Sequence, residues 1–146
     1  NQTSKEIIKD SRQHFLRFDI KRTSKMLDEL GLMTDSSIGY RDTIGFRCGT
    51  GFSYHLYNFD KESKFKFLEI PLIVMDIAAL RDVQWVNEKW GQHISNFIEK
   101  NKYYTHITFN FHNSFFDPVL VDADLLKRWY IKTFQEDIIN SASFST

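Results

Sequence analysis

Three polar side chains lie at or near the ends of apolar runs, and their types suit them to proton transfer and charge stabilisation. Asp76 ends the apolar run 67–75, His112 ends the run 107–111, and Arg47 precedes a glycine-rich loop. In parallel α/β proteins, the carboxyl ends of the strands meet at the mouth of the functional site. We therefore expect Arg47, Asp76 and His112 to belong to one site.

Each of these residue types has a catalytic and a structural use. A histidine such as His112 can protonate a leaving group, and Asp76 can orient that imidazole so that it acts as a general acid. Arg47 can hold a catalytic carboxylate in place through charge-assisted hydrogen bonds. The structural alternatives are a helix cap for Asp76, a rim or core position for His112 and an ion pair with a structural acid for Arg47. Residue spacing alone leaves both uses open.

The one cysteine, Cys48, is a weaker candidate for a nucleophile, because a reactive thiolate needs a base and an electropositive setting. Neighbouring side chains of a strand point to opposite faces, so Cys48 would face away from a site that Arg47 faces. The glycines at 49 and 51 do not form a phosphate-binding loop, since the lysine of that motif is absent. A single cysteine also excludes an internal disulfide and a zinc site built from paired cysteines.

The composition predicts one folded domain over residues 1–146. Apolar residues make up 42% of the chain and aromatic residues 16%, which is enough to build a core at this length. The 19 basic and 19 acidic residues give zero net charge, and no basic face stands out, so no nucleic-acid partner is expected. No apolar run reaches the ~18 residues of a membrane span. No secretory leader pattern is visible, and the sequence assigns no compartment.

Hydrophobic periodicity divides the chain into alternating strands and helices. Strands are predicted at 14–18, in 32–38, at 45–48, at 67–75 with Pro71 as an edge or bulge, and at 104–111. Helices are predicted from a cap at Thr23 to a stop at Gly31, over 79–101 with a break near Gly91, and over 123–137 with a cap at Asp122. This alternation predicts an α/β fold with a parallel sheet, either a barrel or an open doubly wound form. The units are too few to close an eight-stranded barrel.

Four segments occur in an order that is typical of one enzyme family. They are Arg-Gln-His-Phe-Leu-Arg-Phe-Asp at 12–19, the stretch 35–50 with Ile-Gly-Tyr and Gly-Phe-Arg-Cys-Gly-Thr, Leu-Glu-Ile-Pro-Leu at 68–72 followed by Met-Asp, and His-Asn-Ser at 112–114. In these segments the chain resembles polysaccharide deacetylases of the NodB-homology type, and most closely bacterial members with surface-polysaccharide functions. The resemblance spans about residues 12–114.

The resemblance implies a partial (β/α) barrel of the deacetylase type and the hydrolysis of acetamido groups on sugars. In that family a zinc-like ion, held by one Asp and two His, polarises the carbonyl and activates water, and a second Asp acts as base. An Arg positions that base, and a late His, oriented by an Asp, acts as acid. By position Arg47 corresponds to the arginine, His112 to the late histidine and Asp76 to its orienting aspartate. These are the predicted catalytic residues.

The chain departs from the family at its metal site. The Asp-Asp pair and the His-x-x-x-His pair, which in the family precede the segment at 12–19, are absent, and Cys48-Gly49-Thr50 replaces the aromatic or Pro that follows the motif arginine. We therefore expect a domain that lacks its N-terminal portion, with no cofactor held within this chain and a divalent metal only in a complete domain. The expected partners are an N-acetylated glycan and either the remainder of the domain or a second copy, because half a barrel leaves open sheet edges.

Two other interpretations stay open. One is a catalytically inactive deacetylase-like module that binds glycans or has a structural role. Sugar faces stack on aromatic rings, and the candidate rings are those of Tyr40, Phe52, Tyr54, Tyr57 and Phe116, although for most of them a core position is expected. The other is an unrelated open α/β domain, for which the sequence carries no cofactor fingerprint.

Overall fold

The computed structural model describes residues 8–80, 88–117 and 123–137 of the chain. The expected helix cap at Asp122 and the middle of the helix predicted over 79–101 lie outside these ranges. Within them the protein is a mixed α/β structure, in which small groups of parallel strands are packed with helices.

The regular elements are short. The strands are β1 Asp10–Ser11, β2 Thr34–Asp35, β3 Tyr57–Asn58, β4 Ser63–Lys64, β5 Leu68–Glu69, β6 Val74–Met75 and β7 Phe109–Asn110. The helices are α1 Arg22–Glu29, α2 Asp76–Leu80, α3 Glu88–Asn101 and α4 Ala123–Ile131, which continues as a π-helical segment, Lys132–Asp137. Turns of 3-10 helix occur at His14–Leu16 and Asn113–Phe116. None of the helices in the described parts of the chain is both long enough and apolar enough to cross a bilayer.

Four segments of backbone pair in the order in which they occur in the chain. β1 pairs in parallel with β2, and β2 with β5, which places Asp35 opposite Glu69. A parallel bridge between Gly39 and Leu72 continues this pairing, and β6 then pairs in parallel with β7. The predicted α/β class with parallel strands is confirmed. Within the described residues, the strands do not close into a barrel.

Pro71 divides the apolar run 67–75 into β5 and β6. Proline has no backbone N–H for a sheet, and the side chain of Thr108 takes over part of the pairing. The Thr108 hydroxyl donates to the Pro71 carbonyl oxygen and accepts the Ile73 N–H, with N and O 3.1 Å apart. Beyond this stretch the Val74 N–H donates to the Thr108 carbonyl oxygen at 3.0 Å. The run therefore pairs with the β2 segment as far as Leu72 and with β7 at Val74 and Met75, so that its end lies beside the end of β7.

Two hydrophobic clusters pack around the strands. The larger joins β6 to the helices α2, α3 and α4, and its buried members are Ile73, Val74, Ala79, Trp90, Ile94, Ile98, Phe115 and Leu126. The smaller one lies between α1 and the strands β2 and β5, and its buried members are Leu27, Ile38, Leu56, Phe65 and Phe67. The strand ends that carry the site are thus fixed from two sides by packed side chains.

Gly91 lies inside α3, so from residue 88 onward the helix has no break at this glycine, while residues 81–87 lie outside the described ranges. The glycine instead makes room for α4, because a Cβ at this position would lie 2.8 Å from Cδ1 of Trp129. The Trp129 indole N–H donates to the Gly91 carbonyl oxygen and to the Ser95 hydroxyl, each at 3.1 Å. The glycine at this position therefore reflects close packing of two helices rather than the end of a helix.

The strand predicted at 14–18 is wrong. The backbone forms a 3-10 turn in which Phe15 and Leu16, neither of them glycine, have φ of 58° and 50°. The Leu16 side chain is buried while the Phe15 ring is exposed. Burial of one apolar side chain therefore holds the chain in a left-handed conformation that the apolar pattern does not reveal.

Local hydrogen bonds determine the conformation of the segment 45–48 and the residue at which α1 begins. The predicted strand at 45–48 is a turn, closed by the Gly49 N–H donating to the Phe46 carbonyl oxygen at 3.0 Å. The start of α1 is capped by Asp19 rather than Thr23, since Asp19 Oδ1 accepts two backbone N–H groups at 3.0 and 2.7 Å. The predicted stop at Gly31 is confirmed, because that residue follows the helix with φ of 71°.

Candidate functional site

Asp76 and His112 meet at the ends of two paired strands. Asp76 is the first residue of α2 and directly follows β6, and His112 lies two residues after β7. β6 and β7 run parallel, with Met75 opposite Asn110, so their carboxyl ends are adjacent. The pairing of β6 with β7 is what brings these two side chains together.

A two-point contact joins the pair. His112 Nδ1 lies 2.7 Å from Asp76 Oδ1, and the His112 backbone N–H donates to Asp76 Oδ2 at 2.5 Å. Oδ1 also accepts the backbone N–H of Ile77 at 2.7 Å, so the same carboxylate oxygen binds the first turn of α2 and the imidazole. Asp76 is completely buried, whereas 41% of the His112 side chain is exposed. The ring is therefore held through Nδ1 and leaves Nε2 available for proton transfer.

His112 lines a cavity of about 550 Å³. Met75 and Ile77, which flank Asp76, contribute apolar wall to the same cavity. The polar and aromatic lining comes from distant parts of the chain and includes Arg12, Gln13, His14, Phe15, Arg41 and Asn110. A cavity of this volume accommodates a ligand of the size of a sugar.

Arg12 ties the ends of three strands together beside His112. Its Nε and Nη2 donate to the carbonyl oxygen and hydroxyl of Ser36, each at 3.0 Å, and its Nη1 donates to Asn110 Oδ1 at 2.8 Å. Burial lowers the pKa of the Arg12 guanidinium, while Asp35 and Glu69 act in the opposite direction. Arginine stays charged under such shifts, so Arg12 is a fixed cation at the cavity wall. The sequence analysis did not identify Arg12 as a site residue, although Arg12 is the first residue of the motif at 12–19.

The strained turn at His14–Leu16 forms another part of the wall. All three of its residues line the cavity, and the positive φ angles of Phe15 and Leu16 place the exposed Phe15 ring beside the polar groups. Such strain persists where the surrounding structure holds it, and it is found most often at functional sites. No pattern of residue types signals this conformation in a non-glycine pair, so the sequence offered no way to find it.

Arg47 lies in a different cavity from His112. Its Nη1 donates to the Gly39 carbonyl oxygen at 2.9 Å, and its side chain lines a cavity of about 200 Å³ together with Cys48 and Tyr54. The structure therefore brings together two of the three predicted site residues and leaves Arg47 apart from them. Because 45–48 is a turn, Arg47 and Cys48 line one cavity, and the expectation that they face opposite ways is wrong.

The Cys48 thiol is held in its neutral form. Burial raises its pKa, a hydrogen bond with Tyr54 lowers it, Glu69 raises it and Arg47 lowers it, with burial the largest effect. Burial also raises the pKa of Tyr54, and here the hydrogen bond with Cys48 raises the pKa further. A thiol of raised pKa is a poor nucleophile, in agreement with the prediction that Cys48 is a weak candidate for that role.

Two buried carboxyl groups lie beneath the cavity walls. Asp35 and Glu69 are opposite each other on β2 and β5, and both are fully buried. Asp35 Oδ2 accepts the Ser37 N–H at 2.9 Å, and Glu69 Oε1 accepts the Ile38 N–H at 2.9 Å. Burial raises the pKa of Glu69 to about 8, the Ile38 N–H lowers it and Asp35 raises it. At neutral pH Glu69 is therefore mostly protonated and adds little negative charge to this region.

Most of the aromatic residues considered for sugar stacking are not in the core. Tyr40, Phe52, Tyr57 and Phe116 are exposed large side chains, and Tyr54 is half-buried, so the expectation of core positions is wrong for most of them. None of the five lines the cavity beside His112. That place is taken by Phe15, which is 59% exposed.

The described residues do not offer a metal site. No group of three or more His, Cys, Asp or Glu side chains within 8–80, 88–117 and 123–137 is placed to hold an ion. The lining of the cavity contains the imidazoles of His14 and His112 but no Asp or Glu, so it lacks the carboxylate that accompanies two histidines at the ion of a deacetylase. The metal of a deacetylase does not fit the residues described in this chain.

The site can thus hold a sugar-sized ligand against an oriented imidazole with cationic neighbours. Such an arrangement can donate a proton and bind anionic oxygen atoms. Comparisons of the chain with models of protein families, with curated proteins and with solved structures found no match.

Proposed function

We propose that this chain supplies the proton-donating side of the active site of a metal-dependent carbohydrate N-deacetylase, a hydrolase acting on acetamido groups of bacterial surface polysaccharide. The observation that carries the proposal is the Asp76–His112 pair, which joins the ends of two parallel strands and whose histidine lines a cavity of about 550 Å³. The chain order of the paired strands supports a partial (β/α) barrel, since consecutive strand–helix units lie side by side in that fold.

Hydrolysis of the acetamido group requires a proton on the nitrogen that leaves. Water adds to the acetamide carbonyl, the C–N bond then breaks, and the products are acetate and the free amine of the sugar. The departing nitrogen needs a proton, and His112 Nε2 is the donor in this proposal. Asp76 acts as a positioning residue, because its contacts with Nδ1 and with the His112 backbone hold the ring in one orientation.

The metal and the base lie outside what the described residues provide. Since these residues do not fit an ion, the ligands would come from elsewhere in a complete domain. Arg47 keeps its expected role as a positioning residue for the catalytic base, and its side chain would act from the neighbouring cavity that it lines with Cys48. The remainder of the domain or a second copy would cover the strands at the two ends of the pairing order.

A binding module without hydrolysis is the second candidate. The exposed Phe15 ring at the cavity wall, together with the donors of Arg12 and Asn110, is the combination that proteins use to bind sugars by stacking and hydrogen bonding. Such a module would bind N-acetylated glycans through the same cavity and would release no acetate.

Acetate release separates the two functions. The full natural gene product would be incubated with N-acetylated oligosaccharides and divalent metal, and acetate would be quantified for wild type, His112→Gln and His106→Gln. His106 is a matched control, because its ring contacts Phe52 and does not line the cavity. We expect His112→Gln to reduce the rate by about 10²- to 10⁴-fold and His106→Gln to leave it unchanged.

Two results would contradict the deacetylase proposal. One is an unchanged rate in His112→Gln, which would remove His112 from the reaction. The other is binding of N-acetylated oligosaccharides with no acetate release under any metal tested, which would favour the binding module.

A further inference from the structure

The cavity beside His112 is rich in hydrogen-bond donors and contains no acidic side chain. Among its lining residues are Arg12, Arg41, His14 and His112, and no Asp or Glu is one of them. Asp76, which contacts His112, is fully buried behind it, and the carboxyl groups of Asp35 and Glu69 act on Arg12 from beneath the cavity wall. The exposed wall of the cavity therefore carries positive charge that the lining residues themselves do not neutralise.

Arg12 and Asn110 leave part of their donor capacity unused. The contacts of Arg12 are all to uncharged oxygen atoms, those of Ser36 and of the Asn110 side chain. Because Asn110 Oδ1 accepts from Arg12, the amide is turned so that its remaining group, the NH₂, is a donor. Both side chains therefore offer N–H groups in fixed positions and no free acceptor.

Arg41 is a cation of the cavity wall without a charged partner among the described residues. It is an exposed residue at the cavity wall, and within the described residues its guanidinium has no hydrogen bond or ion pair. The segment that carries it is fixed nearby, since Gly39 approaches Leu72 so closely that a Cβ would lie 2.7 Å from the Leu72 carbonyl oxygen. An arginine held in this way presents a planar pair of donors that matches a carboxylate.

We propose that the cavity selects an acidic N-acetylated glycan, and that Arg41 is the specificity-determining residue that binds the carboxylate of a uronic acid unit. The ligand is an acceptor-only group, which complements a wall made of donors. The inference rests on the proposed function in one respect, namely that the ligand of the cavity is a glycan. Arg12 and Asn110 then bind the neutral sugar oxygens, and the Phe15 ring packs on the sugar face.

Two oligosaccharides that differ in charge test this inference by binding alone. A hyaluronan tetrasaccharide contains N-acetylglucosamine alternating with glucuronate, and chitotetraose contains N-acetylglucosamine without a carboxylate. Titration calorimetry or NMR titration at low salt would compare both ligands for wild type, Arg41→Gln and Arg128→Gln. Arg128 is an exposed arginine of α4 that does not line the cavity, so its variant controls for the loss of one charge.

We expect wild type and Arg128→Gln to bind the acidic tetrasaccharide at least about 10-fold more tightly than chitotetraose, with the preference weakening as salt increases. Arg41→Gln should bind both ligands equally, and Arg41→Lys should recover part of the preference. Because Arg41 is exposed, these variants should fold as wild type does, which circular dichroism would verify.

Three outcomes would overturn the inference. These are equal affinity of wild type for the two ligands, an unchanged preference in Arg41→Gln, and binding of inorganic phosphate or free glucuronate as tight as that of the tetrasaccharide. The last would mean an anion site that does not select glycans. Selective binding without acetate release from the natural protein would support this inference and contradict only the deacetylase proposal, so the two can fail separately.

Discussion

Asp76 engages His112 through both of its carboxylate oxygens, one bound to the ring Nδ1 at 2.7 Å and the other to the backbone N–H at 2.5 Å. The residue that orients the imidazole thus also fixes the main chain from which the imidazole extends. A carboxylate that contacted only the ring would leave the His112 backbone free to shift. The two contacts fix both the orientation of the ring and the position of the backbone. The same group accepts the Ile77 N–H, so it links the start of α2 to the end of β7.

Asp76→Asn should separate orientation from simple packing. Asparagine has nearly the same shape, but one of the two positions that accept from His112 becomes an NH₂ donor and the charge is lost. We expect acetate release by the natural protein to fall by at least about 10-fold, with a changed pH profile of kcat. Thermal unfolding of the same variant provides the comparison: lower stability with an unchanged pH profile would mean that Asp76 has only a structural role.

Glu69→Gln should change how stability depends on pH. The pKa of Glu69 is raised to about 8 in the fold, whereas in the unfolded chain it is about 4.3. Between these values the folded protein holds a proton that the unfolded chain releases. The free energy of unfolding therefore falls as pH rises from about 4.3 to about 8, by up to about 1.4 kcal/mol per pH unit, and is not affected further above that range.

Denaturant unfolding at several pH values would measure this effect. Glu69→Gln, which mimics the protonated side chain, should lose the fall in stability, and the exposed Glu29→Gln should retain it. If wild type and Glu69→Gln show the same slope between pH 5 and 8, Glu69 does not hold a proton in the folded state.

Thr108→Val should weaken the junction at which the apolar run changes partners. The hydroxyl donates to the Pro71 carbonyl oxygen and accepts the Ile73 N–H, and valine leaves both groups without this partner. We expect a loss of about 1–3 kcal/mol in the free energy of unfolding. Thr108→Ser keeps the hydroxyl and is the matched control. Equal stability of the valine and serine variants would show that the hydroxyl does not stabilise the junction.

The chain by itself should self-associate through the edge at β1. Within the described residues β1 pairs only with β2, and Ile8 and Met33 beside it are 76% and 56% exposed. An edge strand with exposed apolar side chains favours pairing with another chain. Sedimentation velocity over a concentration series should show association that Ile8→Lys reduces. Phe59→Lys should not reduce it, because Phe59 is 70% exposed in the connection between β3 and β4, which pair with each other as an antiparallel hairpin. A monodisperse, cooperatively folding monomer would contradict the expectation of an incomplete barrel.

Local patterns predicted much of the architecture and part of the site. Apolar runs and their polar ends placed Asp76 and His112 at the carboxyl ends of predicted strands, and Gly31 marked a helix end. The same reasoning was wrong for 14–18 and 45–48. The apolar residues at 14–18 belong to a 3-10 turn that buries Leu16, and those at 45–48 belong to a hydrogen-bonded turn. At Gly91 the need for space came from Trp129, which is distant in the chain.

The sequence alone determined which residues can exchange protons and where strands end, since side-chain chemistry and hydrophobic periodicity are local properties. Only the tertiary structure decided which of those residues share a cavity. Pairing of β6 with β7 joined Asp76 to His112, and the ends of β1 and β2 brought Arg12 and Arg41 to them, while Arg47 was left in the neighbouring cavity. The physical reason is that strand pairing joins segments far apart in the chain, as the Thr108 hydroxyl does when it binds the Pro71 carbonyl oxygen and the Ile73 N–H.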